Sequence, residues 1–111
     1  MNAPREHARA AYRLAERQLA SLRDNDFDAF DAGSGELEDA YSALLQADPA
    51  TFDDETRALT REIVHVQRSI THELDRLMDQ ASEAMALQRR RHAVSSAYNA
   101  AANQPGAPRT A

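Results

Sequence analysis

The chain has 111 residues and a formal charge of −5, with no cysteine and with arginine supplying all 13 of its Lys and Arg positions. That composition excludes a disulfide framework, thiol catalysis, a cysteine zinc site, a Schiff-base lysine and the Walker phosphate lysine. An acidic chain without tryptophan is also a poor general nucleic-acid binder. Leu, Ile, Val and Phe supply only 18 of the 111 residues, a share that alone would suggest disorder. Helical periodicity outweighs it. The stretch Met1 to His7 leads into a charged segment rather than an apolar run, so it does not read as a secretory signal. No run of about 18 apolar residues occurs, so direct membrane insertion is not expected. The expectation is a cytoplasmic, all-α protein that forms a single helical domain over residues 1–104, followed by a flexible tail over 105–111.

The first helix is predicted over about 4–23. Pro4 suits a first helical turn, and Ala8, Tyr12, Ala15, Leu19 and Leu22 recur at alternating four- and three-residue steps. Asp24-Asn25-Asp26 ends it, because these side chains favour caps over helix interiors. A second helix over about 27–47 carries the stripe Phe27, Phe30, Ser34, Leu37, Tyr41 and Leu44. Its phase runs through Gly33-Ser34-Gly35, which favours one helix weakened there by roughly 2 kcal/mol. The alternative is a break, with Ser34 capping a new helix. Asp48-Pro49 stops the segment.

The third helix is predicted over about 52–102, with Thr51 as its N-cap and Asp53 and Asp54 in its first turn. No Gly or Pro interrupts it before Pro105. Leu59, Ile63, Val66, Ile70, Leu74, Leu77, Ala81 and Ala84 form its seam, which thins to Leu87, Val94 and Tyr98. At about 50 residues it would be on the order of 75 Å long, against about 30 Å for each of its partners. The predicted architecture is therefore an antiparallel three-helix bundle with a long overhanging C-terminal helix. Its core should gather Tyr12, Leu19, Leu22, Phe27, Phe30, Leu37, Tyr41, Leu44, Leu59, Ile63, Val66 and Ile70.

Catalytic and metal chemistry find little in the sequence. Glu62 and His65 have the E-x-x-H spacing of di-iron bundles, but no second such motif exists to complete a site. His65 and His72 lie off the apolar seam and read as solvated. No phosphate-binding or nucleophile-elbow motif occurs. Neither enzyme activity nor a cofactor is expected.

Binding is better supported. Met78, Ala81, Met85, Leu87 and Val94 make the overhang adaptable and apolar, a composition suited to holding a partner helix. Arg89-Arg90-Arg91-His92 is the one basic cluster, and a solvated role, an acidic protein partner and nucleic acid are its three readings. Tyr98 stands among Ala, Ser and Asn. It either packs in a seam or serves as an exposed anchor.

Two stretches resemble a known family. Leu22-Arg23-Asp24-Asn25-Asp26-Phe27-Asp28-Ala29-Phe30 is similar to the helix junction of flagellar type III export chaperones of the FlgN/FliT type. The segment from Arg89 to the Ala97-Tyr98 pair is similar to their C-terminal stretch. Gly33, Gly35 and the absence of lysine depart from that pattern. The resemblance implies a cytoplasmic helical chaperone without ATPase activity. It would hold the helix-forming C-terminal segment of hook-associated or filament-cap proteins on Met78, Ala81, Met85, Leu87 and Val94. Tyr98, with Arg90 and Arg91, would dock on the export-gate membrane protein. A structural homodimer built on a coiled coil and a regulatory adaptor are the competing readings.

Overall fold

A computed structural model describes residues 2–103, so the tail expected over 105–111 lies outside the described residues. Three α-helices, α1 (Ala3–Arg23), α2 (Phe27–Gln46) and α3 (Asp54–Ala102), are joined by a tight turn and a linker containing a short 3-10 helix at Pro49–Thr51. No strand occurs among the described residues. The chain divides into two compact units, residues up to Asp75 and residues from Arg76.

Local chemistry sets the boundaries of α1 and α2. The Asn2 side chain accepts from the Arg5 backbone N–H and caps α1, with Pro4 in the first turn. At the other end, the N–H of Asp26 reaches the Ser21 carbonyl and that of Asn25 reaches Leu22. Those two bonds define a Schellman closure, and Asn25 takes the required left-handed backbone at φ 56°. Asp26 then caps α2 by accepting from the Ala29 N–H. The Asp-Asn-Asp run thus ends one helix and starts the next.

The start of α3 differs from the sequence expectation. Thr51 closes the short 3-10 turn, donating its hydroxyl to the Asp48 carbonyl, and helix begins only at Asp54. The cap is Asp53, whose Oδ1 accepts from both the N–H and the hydroxyl of Thr56 at 2.7 and 2.6 Å. Its Oδ2 takes Arg5 Nη2 at 2.6 Å and Asn2 Nδ2 at 3.1 Å, tying the start of α3 to the start of α1. Arg5 and Arg9 also pair with Glu55. The bonds from Thr56, reinforced by Arg5, hold the Asp53 carboxyl down at about 2. The unfolded chain therefore protonates this group first as pH falls, so its stabilising contribution is full above about pH 5, falls most steeply between pH 4 and pH 2, and is lost below that. Asp53→Asn should lower the melting temperature at pH 7, with the gap to wild type closing between pH 4 and pH 2. A gap that stays constant across that window would contradict the assignment.

The core of the first unit is built on alanine. Ala8, Ala11, Leu44 and Ile63 are buried together, with Tyr12, Tyr41, Phe52 and Leu59 packed against them. Ala15, Leu19, Leu22, Leu37 and Ile70 are also buried. On α3 the buried positions are Thr56, Ile63 and Ile70, seven residues apart, which is the spacing of one position of a heptad seam. Tyr12, Phe30, Tyr41, Leu59 and Val66, expected in the core, are only partly covered. Phe27 is not in the core at all, at 50% exposure. It is the first residue of α2, immediately after the turn that follows α1.

α2 is one continuous helix through both glycines. Gly33 leaves room for its neighbour. A Cβ there would lie 2.5 Å from Oε1 of Gln18, a buried side chain that donates Nε2 to the Phe30 carbonyl at 2.8 Å. Gly35 faces open space. The two positions should therefore respond differently to the same change. Gly35→Ala should stabilise the protein by about 1 kcal/mol through helix propensity. Gly33→Ala should forfeit part or all of that gain, because the end of the buried Gln18 side chain must shift and its hydrogen bonds to the Phe30 carbonyl and Ser34 are strained. Equal gains at both sites in urea titrations would contradict the close approach.

Candidate functional site

The exposed apolar side chains concentrate in the second unit. Met78 is 66% exposed, Val94 70% and Tyr98 74%, with Met85 and Leu87 also open to solvent. Every residue from 78 to 103 is exposed. This stretch is helical because it is rich in Ala, Leu, Met, Gln and Arg and free of Gly and Pro.

Helical phase sorts the expected binding residues into two groups. Met78, Ala81 and Met85 follow steps of three and four and share one face. Leu87 lies nine positions beyond Met78, about 180° around the helix. Val94 and Tyr98 follow Leu87 at steps of seven and four and share its face. Local recesses agree with the phase. Met85 lines one with Gln88, Arg89 and His92. Arg90, Arg91, Val94, Ser95 and Tyr98 line another, of about 500 Å³. Val94, expected with the methionines, thus stands with Tyr98 and the arginines. The basic cluster is likewise divided, Arg89 and His92 to one side and Arg90 and Arg91 to the other.

The first unit carries an apolar cleft of about 380 Å³ between α2 and α3, lined by Phe30, Leu37, Tyr41, Leu45, Ile70 and Leu74, with Gln18 and Gln67 among its polar groups. The Tyr41 hydroxyl donates to Gln67 Oε1 at 2.9 Å, and burial raises the phenol above its ordinary value. Leu45 stands at the edge at 84% exposure. Sequence reading placed Phe30, Leu37, Tyr41 and Ile70 in the core and Leu74 on the seam of the third helix. What it missed was that Leu45 falls one position outside the covered seam, while Gln18 and Thr56, both polar, fall inside.

Glu62, His65 and His72 are exposed, and no group of three His, Asp or Glu among the described residues could hold a metal ion. No described helix is long and apolar enough to cross a membrane. The regular structure of the described residues is all helical, with large apolar side chains exposed on the helix of the second unit and an apolar cleft in the first. No family model, curated protein or solved structure matches it.

Proposed function

We propose that the protein is a cytoplasmic export chaperone that holds the helix-forming C-terminal segment of a flagellar hook-associated or filament-cap protein and delivers it to the export gate. The observation that carries the reading is the solvent exposure of the Met78, Ala81 and Met85 face. Methionine side chains adapt to differently shaped apolar partners, and alanine between them lets a second helix approach closely. Holding a helix in this way uses burial of apolar surface and needs no cofactor. Val94 and Leu87, on the opposite face, belong with Tyr98, Arg90 and Arg91 in docking on an acidic gate surface. An aromatic anchor beside arginines has the composition of a binding hot spot. The similarity of residues 22–30 and 89–98 to the FlgN/FliT type names the client class.

The test is calorimetric titration of the full chain with C-terminal segments of hook-associated and cap proteins. Saturable binding with a negative heat-capacity change is expected, the signature of apolar burial. Absence of binding by every segment at concentrations of about 100 μM, where only affinities weaker than about 5 kcal/mol escape detection, would remove the chaperone reading.

A further inference from the structure

The charges of this chain are segregated along its length. Between Arg23 and Arg57 there are eleven acidic residues and no arginine or lysine. α2 alone carries Asp28, Asp31, Glu36, Glu38 and Asp39 with no base. After Glu83 the pattern inverts. Arg89, Arg90 and Arg91 follow, and no acid occurs in the remainder of the chain.

Each charged region borders an apolar surface. Asp31 and Glu38, seven residues apart, share the row of α2 that runs along the cleft, and Glu38 contributes to its lining. Both are exposed. In the second unit, Arg90 and Arg91 frame the recess that holds Val94 and Tyr98. From Leu87 to Tyr98 is about 16 Å along a helix, and from Phe30 to Leu45 on α2 about 22 Å, so one can lie within the other.

We infer that the apolar cleft between α2 and α3, with Asp31 and Glu38 along its α2 edge, receives the Arg90, Arg91, Val94 and Tyr98 face of a second copy of this chain. Leu87, Val94 and Tyr98 are spaced as the anchors of a helix laid in a groove. The arginines meet Asp31 and Glu38 on its rim, where complementary charge fixes orientation and speeds encounter. A second copy is the occupant because it carries both halves of the match. With two-fold symmetry each cleft is filled by the other chain, and every contact is made twice. The Met78, Ala81 and Met85 face lies on the other side of the helix from these anchors. A gate protein docking on Tyr98 would have to displace the second copy, so self-association is measured with the protein alone.

Sedimentation equilibrium of the full chain tests the pairing. A dimer is expected at low salt, with a dissociation constant that rises on the order of tenfold from 50 to 500 mM salt as the rim charges are screened. Arg90→Glu with Arg91→Glu should give a monomer, as should Asp31→Arg with Glu38→Arg. An equimolar mixture of these two double variants should dimerise again, since the inverted helix meets the inverted cleft and the unchanged helix meets the unchanged cleft. All four positions are exposed, and circular dichroism confirms that each variant remains folded. A wild-type monomer at every salt concentration, a dimer indifferent to either reversal, or a mixture that stays monomeric would each overturn the inference.

Discussion

Leu22→Ala should lower the unfolding free energy of the first unit by roughly 2–5 kcal/mol, the largest loss expected from any single truncation of the core. Leu22 is the largest apolar side chain with no solvent exposure. It lies in the last turn of α1, one residue before the helix ends, and its carbonyl closes the Schellman turn. The backbone around it is therefore fixed at both ends of a short connection and cannot collapse into the space left by three carbons. Small helical units have about 5–10 kcal/mol to lose in all, so the substitution removes a large share. Urea unfolding followed by tyrosine fluorescence measures it, and a loss below about 1 kcal/mol would show that Leu22 is easily replaced.

The second large effect concerns binding. Met78→Asp with Met85→Asp should abolish client capture while leaving helix content nearly unchanged. Both side chains are already in solvent, so a carboxylate at either site meets no core and costs the free protein only helix propensity of a few tenths of a kcal/mol. In a complex the same carboxylates would be desolvated against an apolar helix without partners, at a cost of several kcal/mol for the pair. Calorimetric titration reads the difference, and undiminished capture by the folded double variant would show that clients bind elsewhere.

Much of this fold is written in short-range chemistry, and those parts were legible in the sequence. Pro4, Asp24-Asn25-Asp26 and Asp48-Pro49 act on backbone groups within a few residues of themselves, so the bounds of α1 and α2 follow from local signals, although the Asn2 cap of α1 was not among those read. The continuity of α2 through Gly33 and Gly35 followed from an unbroken apolar phase. Less legible were features that depend on a partner far along the chain. Gln18 is buried because Gly33 leaves room for it and Phe30 offers a carbonyl. Asp53 rather than Thr51 caps α3 because Asn2 and Arg5 converge on it from α1. Phe27, apolar and in phase, is half exposed at the first position of α2, where an apolar stripe alone does not report how much of the ring is covered.

The candidate surface was legible as composition but not as geometry. Met78, Met85, Leu87, Val94 and Tyr98 stand out as large side chains in an alanine-rich helix. Counting them together overlooked the nine-residue step from Met78 to Leu87, which carries the second group to the opposite face. The charge segregation between α2 and residues 89–91 was equally open to inspection, and its meaning depended on finding an apolar recess beside each charge.

Methyl NMR of the full chain labelled at the methionine ε-carbon tests the central claim most directly. Met78 and Met85 report on the proposed client face, and Met1 serves as an internal reference in the same spectrum. On addition of a hook-associated or cap C-terminal segment, the Met78 and Met85 signals should shift together and saturate at one stoichiometry. Client binding at saturation with both signals unmoved would contradict the account, because the segment would then occupy another surface.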